Sequence, residues 1–195
     1  MAAKADLDTL TETLVLAFRE DPVWSWGFSV DERGLEGMRS AWRLFLSSAL
    51  DHGWVWRTEE CSAVALWIPP GKPDLLPEDE ERFEPLMHET LGAGAERLLE
   101  AFERFEQARP REPHYYLSLL GTHPDHSGRG WGMGLLADNL TRIDAEGMAA
   151  YLESSNPANV PRYERLGFAV FDEFAVTEGI VVAQMWRRPS AAVAG

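Results

Sequence analysis

The sequence contains almost no cysteine and no long apolar run. Cys61 is the only cysteine among 195 residues, which excludes an intrachain disulfide and any metal site built from several cysteines. No stretch approaches the roughly 20 consecutive apolar residues that a membrane helix needs. Acidic side chains precede the first apolar positions, which is not the pattern of a secretory signal. These absences predict a cytoplasmic protein with no membrane partner.

Basic side chains are also scarce. Lysine and arginine together number 18 against 32 acidic residues, so the net charge is −14. Such a chain repels nucleic acid and anionic membranes, and its acidity slightly favours cationic substrates such as amines. The histidines at positions 52, 88, 123 and 126 show no metal-ligand spacing to one another or to Cys61. We therefore expect neither a nucleic-acid partner nor a metal.

The length and the 45% content of hydrophobic residues predict a single α/β domain over residues 1–195. Apolar periodicity predicts helices at 7–18 and 35–50, a β-hairpin at 54–57 and 62–68, a helical insertion at about 74–110, and strands at 149–153, 168–176 and 180–187. The aromatic segment 24–28 is expected to be a loop, and the tail from about 189 to 195 is expected to be frayed. Strands alternating with helices indicate a mixed α/β sheet.

The most informative stretch is residues 115–133, YYLSLLGTHPDHSGRGWGM, in which an apolar strand leads through a turn into a glycine-rich helix start. Gly128, Gly130 and Gly132 leave successive backbone amides free to converge on an anion at the positive end of that helix. The GxxxxGK[ST] pattern of a phosphate loop is missing, and too little chain follows for a dinucleotide-binding Rossmann fold. The pyrophosphate of coenzyme A is the remaining candidate.

Two motifs resemble the signatures of the GCN5-related N-acetyltransferase (GNAT) family. Residues 127–132 (SGRGWG) resemble its Gln/Arg-x-x-Gly-x-Gly/Ala signature, and residues 156–168 (NPANVPRYERLGF) resemble its second signature. The resemblance covers residues 112–188 well and is greatest toward the puromycin N-acetyltransferase group. It implies a mixed, mostly antiparallel central sheet flanked by helices, with a splayed cofactor strand. It also implies acetyl-CoA as co-substrate.

The resemblance assigns roles to residues of both motifs. The pantetheine arm would bind the backbone of Leu120, Gly121 and Thr122, and Asn156 and Asn159 would contact the CoA arm. The pyrophosphate would bind amides in the glycine loop, which consists of Gly128, Arg129, Gly130, Trp131, Gly132 and Met133. Tyr163 stands where the family carries its general acid, which protonates the leaving thiolate.

The general base is left open between two residues. Glu153 resembles a position that some family members use to accept the amine proton, either directly or through a bound water. His114 shares one strand face with Tyr116 and Ser118 and resembles a histidine of certain arylalkylamine acetyltransferases. Each residue also has a purely structural interpretation, Glu153 as a strand-end carboxylate and His114 as a solvated residue after a proline.

Together these features predict an enzyme that transfers acetyl from acetyl-CoA to a primary amine of a small molecule by direct attack in a ternary complex. Trp24, Trp26, Phe28 and Tyr116 are available to line a pocket for an aromatic or antibiotic-like amine. The chain is expected to act as a monomer or a homodimer.

Two alternative functions remain at this point. One is acetylation of a protein or peptide amine, which needs an open groove. The other is a catalytically silent acyl-CoA sensor, because Ser127 replaces the usual Gln or Arg of the first signature. The chain also reaches its first helix with little room for the strand that opens most family members.

Overall fold

Six strands form one sheet in a computed structural model of the chain, which describes residues 1–190. The strands are β1 (Val55–Arg57), β2 (Ala63–Ile68), β3 (His114–Thr122), β4 (Ala149–Ser154), β5 (Ala169–Thr177) and β6 (Ile180–Arg187). Their spatial order is β1-β2-β3-β4-β6-β5, and only the β3–β4 pair is parallel. The predicted mixed, mostly antiparallel sheet is confirmed.

Helices flank the sheet on both faces. They are α1 (Leu7–Phe18), α2 (Pro22–Phe28), α3 (Glu32–His52), α4 (Pro77–Leu91), α5 (Ala95–Ala108), α6 (Trp131–Ala145) and α7 (Val160–Glu164). Helix α1 has the predicted bounds, and α3 ends at Gly53, whose φ of 72° provides a left-handed cap. The helical insertion between β2 and β3 consists of α4 and α5.

The prediction of a loop at residues 24–28 is wrong, because this segment lies in helix α2. Asp21 Oδ1 accepts hydrogen bonds from the amides of Val23 and Trp24, at 3.0 and 3.3 Å. Pro22 occupies the first helical turn, where its missing N–H costs nothing. Asp21 therefore caps a new helix three residues after α1 ends.

Both ends of the described segment, residues 1–190, are hydrogen-bonded to the body of the fold. No strand precedes α1 in the described residues, but the amide of Ala2 donates to the carbonyl of Val55 at 2.8 Å. This single bond stands where an added edge strand would begin. At the other end the amide of Ser190 donates to Asp144 at 2.9 Å, and the rest of the predicted frayed tail, 191–195, lies outside the described residues.

Two apolar clusters lie on opposite faces of the sheet. One packs helices α1 to α5 against the sheet and includes Leu14, Trp42 and Tyr151. The other packs α6 against the opposite face through residues such as Leu136 and Ile143. The sheet is thus the middle layer of three, and helices α1 to α5 cover the face that carries the cavity described below.

Candidate active site

Strands β3 and β4 separate halfway along the sheet. Their parallel pairing begins at His114 with Ala149 and ends at Leu117 with Leu152. Ser118 has no partner in the β2–β3 register, because Leu66 pairs with Leu119 and Trp67 with Leu117. The bulge increases the local twist of β3, and the strand continues beyond the last pair with β4. Residues 118–122 therefore present an edge of β3 that β4 does not cover.

The end of this edge meets the glycine loop. Gly128 and Gly130 have φ values of 76° and 79°, which L side chains adopt with strain. A Cβ on Gly132 would lie 2.6 Å from Thr122 Oγ1, so glycine allows the start of α6 to approach β3 closely. The amide of Gly134 donates the first hydrogen bond of the helix, to the carbonyl of Gly130. In the described residues, 1–190, the amides of residues 128–133 donate to no backbone carbonyl.

The free amides and the positive end of the 15-residue helix α6 together form an anion-binding cradle. Arg129 and Trp131 of this loop are exposed, and Gly130 gives the helix no side-chain cap. A second cleft, whose lining includes Arg19, Thr122 and Ser127, adjoins this end of β3.

A cavity of about 480 Å³ lies beside the uncovered edge of β3. Leu120 lines it, and so do the catalytic candidates Tyr163 and Glu153. Aromatic rings from α2 to α5 form much of its wall, namely Trp24, Trp42, Phe45, Phe83, Phe102 and Phe105. Of the four aromatic residues predicted to line a pocket, Trp24 and Tyr116 do so. Trp26 and Phe28 are not in the cavity wall, and Phe28 is part of the core.

Glu153 is held at the cavity by hydroxyl groups. Tyr151 donates to Glu153 Oε1 at 2.8 Å, and Gln184 in turn donates to the Tyr151 hydroxyl at 3.0 Å. Burial raises the pKa of Glu153 from 4.5 to about 7, although the Tyr116 and Tyr151 hydroxyls and the charge of Arg109 act in the opposite direction. A carboxylate with a pKa near neutrality is suited to accept and release a proton.

Tyr163 lies on the short helix α7 at another part of the wall. Burial, assisted by the negative charge of Asp21, raises the pKa of Tyr163 to about 12. The hydroxyl therefore keeps its proton at neutral pH. Asp21 also lines the cavity and accepts a hydrogen bond from Ser155 at 2.6 Å, which ties α2 to the segment after β4.

His114 is not brought to the cavity, although it shares a strand face with Tyr116. It lies where β3 and β4 are still paired, and its ring packs edge-on against Tyr151 and Trp186. Its Nδ1 is 2.6 Å from the carbonyl oxygen of Glu112, and burial lowers the pKa of the imidazole. This position favours a structural role for His114 and leaves Glu153 as the base candidate in the cavity.

The two asparagines have different surroundings. Asn156 caps the turn before α7 by accepting from the amide of Ala158 at 3.0 Å, and it is not part of the cavity wall. Asn159 lines the cavity, and its Oδ1 accepts from Arg162 at 3.2 Å. Within residues 1–190, no group of three or more acidic, histidine or cysteine side chains is arranged to hold a metal ion, and no helix is long and apolar enough to cross a membrane.

The sequence does not predict two contacts that charged residues of the cavity wall make. Arg109 bonds both carboxylate oxygens of Asp74 at 2.7 Å, across a separation of 35 residues. Asp21 meets Ser155 across 134 residues. Of these residues, only Asp21 has a role that the sequence could indicate, because an aspartate followed by a proline is typical of a helix start.

Part of the chain is similar to a known family. Residues 95–188 match the family model of the acetyltransferase (GNAT) domain. These are 94 of the 195 residues of the chain. The match runs from α5 through β6, so it includes the split strand, the glycine loop and Tyr163. Helices α1 to α4, which complete the cavity wall, lie before it.

Further similar proteins extend the similarity over most of the chain. An uncharacterized N-acetyltransferase of Schizosaccharomyces pombe is 26% identical over 183 residues, which cover 86% of this chain and 74% of the relative. A crystal structure of histone acetyltransferase HPA2 and related acetyltransferase from Corynebacterium glutamicum matches 98% of this chain and 96% of its own, with a TM-score of 0.72 at 24% identity.

A second solved structure shares the same fold. The Drosophila melanogaster polyamine N-acetyltransferase, which catalyses the formation of N-acetylagmatine, matches 95% of this chain and 96% of its own, with a TM-score of 0.63 at 15% identity. The family model and the N-acetyltransferase relative identify the protein as an acyltransferase.

Proposed function

We propose that this acetyltransferase transfers the acetyl group of acetyl-CoA to a primary amine of a small molecule by direct attack in a ternary complex. The observation that carries the proposal is the separation of β3 from β4. Leu120 on the uncovered edge lines the cavity, and Thr122, two residues later, contacts the glycine loop at Gly132. One extended strand thus links an anion cradle to a cavity that contains a candidate acid and a candidate base.

The residues present fit coenzyme A. Unpaired amides in residues 128–133 suit a pyrophosphate, and the absence of side chains at Gly128, Gly130 and Gly132 allows close approach. The uncovered backbone of Leu120, Gly121 and Thr122 suits the amide groups of a pantetheine arm, which pairs as an added strand does. When bound, acetyl-CoA supplies the acetyl group as a thioester with a thiolate leaving group.

Two side chains of the cavity move the protons in this proposal. Glu153 accepts the proton of the attacking amine, directly or through a water, because its pKa of about 7 lies near the working pH. Tyr163 donates its hydroxyl proton to the departing sulfur, which is feasible because the hydroxyl remains protonated until about pH 12. The protons balance because one is taken from nitrogen and one is given to sulfur.

Charges at the cavity favour a cationic acceptor. Four exposed carboxylates of the insertion line it, namely Glu80 and Glu84 of α4 and Glu103 and Glu106 of α5. The basic residues of the wall are Lys72 and Arg109, and Arg109 is already paired with Asp74. An acceptor with an apolar body and a second positive charge therefore suits the aromatic wall and acidic mouth. The likeness to the puromycin N-acetyltransferase group stays a prediction.

The alternatives from the sequence are less well supported. Helices α2, α4 and α5 contribute to the cavity wall, which favours a small molecule over an extended peptide. A silent acyl-CoA sensor has no need of a carboxylate with a near-neutral pKa beside a protonated tyrosine.

The test is release of free CoA thiol from acetyl-CoA in the presence of single amines. We expect turnover with diamines, slower turnover with monoamines of the same length, and none with a peptide bearing a free N-terminus. Preference for the peptide would support the protein-acetylating alternative. CoA binding by calorimetry without turnover on any amine would support the sensor.

A further inference from the structure

Arg109 occupies an unusual position for a charged side chain. It follows the last residue of α5, and its guanidinium carbon lies 4.0 Å from the centre of the Tyr116 ring. Both Nη atoms bond Asp74, which lies in the irregular segment between β2 and α4. About three quarters of each side chain is buried. Desolvation makes such a pair a weak source of stability, so its location needs another explanation.

The pair lies in the same cavity as the proposed base. Arg109, Asp74, Tyr116 and Glu153 all line the same cavity, and Tyr116 pairs in register with Tyr151, whose hydroxyl bonds Glu153. The backbone before Arg109 is also fixed, because Gln184 donates to the carbonyl of the preceding residue at 2.5 Å. The cation is therefore held on one side by Asp74 and on the other by the face of Tyr116.

We propose that Arg109 is a positioning residue for the general base: its guanidinium, fixed over Tyr116 by Asp74, favours the ionised form of the Glu153 carboxylate, which is the form that takes the amine proton. The inference rests on the proposed function. No bond to Glu153 is required, because a cation acts through several ångströms of a poorly solvated cavity.

The groups around Glu153 include neutral donors, one anion and one cation. The groups that influence it are Tyr116 from β3, Tyr151 from β4, Asp74 from the loop and Arg109 from the end of α5. The two tyrosines offer neutral donors, and Asp74 disfavours the ionised carboxylate. Arg109 is the positive charge of this group, and it lowers the pKa of Glu153 by more than Asp74 raises it.

A structural cross-link and a positioning role predict different pH profiles. We would measure kcat/KM against pH for the wild type, Arg109→Gln, Arg109→Lys and Asp74→Asn, with Arg111→Gln as a control of equal charge change at an exposed site two residues away. Arg109→Gln is expected to move the acidic limb up by about 1 pH unit. Asp74→Asn is expected to move it down, because the amide oxygen still accepts a hydrogen bond from Arg109 while the negative charge that disfavours ionised Glu153 is removed. Arg109→Lys restores most of the wild-type midpoint, and Arg111→Gln leaves it unchanged.

The same coupling is measurable without turnover. Carbon-13 NMR of the carboxyl of Glu153 in the free protein, assigned by its loss in Glu153→Gln, follows its titration in each variant. Opposite displacements in Arg109→Gln and Asp74→Asn support the proposal even if no amine is ever acetylated, so failure of the proposed function is distinguishable. An unmoved Glu153 titration in folded Arg109→Gln and Asp74→Asn, or displacement in the same direction in both, would overturn it.

Discussion

Replacing Glu153 by Gln removes a carboxylate whose ionised form is destabilised by burial in the folded protein. Its pKa is about 7 in the folded protein against an ordinary 4.5, so between these values the folded chain keeps a proton that the unfolded chain releases. Stability therefore falls as pH rises through this window. The folded and unfolded pKa values of Glu153 differ by about 2.5 units, and each unit is worth about 1.36 kcal/mol. The ionised carboxylate therefore lowers the free energy of unfolding by about 3 kcal/mol at pH 8 and by less than about 1 kcal/mol at pH 5. Gln stays neutral and still offers an oxygen to Tyr151.

The assay is urea denaturation of the wild type and Glu153→Gln at pH 5 and pH 8. We expect the variant to have the larger free energy of unfolding at pH 8, by about 3 kcal/mol, and to be inactive. The matched control is Glu173→Gln on β5, where the carboxylate is exposed and its loss should change little at either pH. Equal stabilities of wild type and Glu153→Gln at pH 8 would refute the reasoning, because Glu153 would then titrate as an ordinary surface carboxylate.

Three further predictions concern the cradle, the acid and the mouth of the cavity. Gly132→Ala puts a Cβ 2.6 Å from a β3 hydroxyl, so calorimetry should show CoA affinity about tenfold weaker, whereas Gly134→Ala, which meets nothing within 4 Å, should leave it unchanged. Tyr163→Phe should lower kcat about 100-fold with CoA affinity intact, and an unchanged rate of thiol release would contradict its role as acid. Neutralising Glu84 and Glu106 together should raise KM for a diamine and leave KM for a monoamine unchanged, and an equal rise for both would count against a distal charge site.

Local patterns predict those parts of the molecule that are set by local physics. The bounds of α1 and β6 agree with the predicted 7–18 and 180–187, since apolar spacing fixes both. The glycine loop is predictable because it needs only positive φ values and a following helix. The sequence does not predict the helix at residues 22–28, because Asp21 both follows one helix and caps the next, and the aromatic residues of that segment show no helical spacing of apolar and polar positions.

His114 illustrates what a strand pattern does not predict. Because side chains alternate between the two faces of a strand, the spacing of two residues is enough to place His114 and Tyr116 on one face of β3. Which of them reaches a cavity depends on where β3 leaves β4, at the Leu117–Leu152 pair. That point adjoins the irregularity at Ser118 in the β2–β3 register, which depends on pairing with a distant segment. The sequence motif therefore located the strand correctly, whereas the position of its histidine relative to the split required the structure.

The Arg109–Asp74 pair also lay beyond prediction, because its partners are 35 residues apart and flank the helical insertion. The pair joins the part of the chain that the family model matches, which contains Arg109, to the part before it, which contains Asp74. The matched region carries the cradle, Glu153 and Tyr163, whereas α4, with half of the acidic mouth, precedes it. Because Asp74 and Arg109 stand at the two ends of the insertion, the segment that we propose to select the acceptor also carries the cation that we propose to act on the base. A change of acceptor specificity made by replacing α4 and α5 must therefore preserve this pair if proton transfer is to keep its pH dependence.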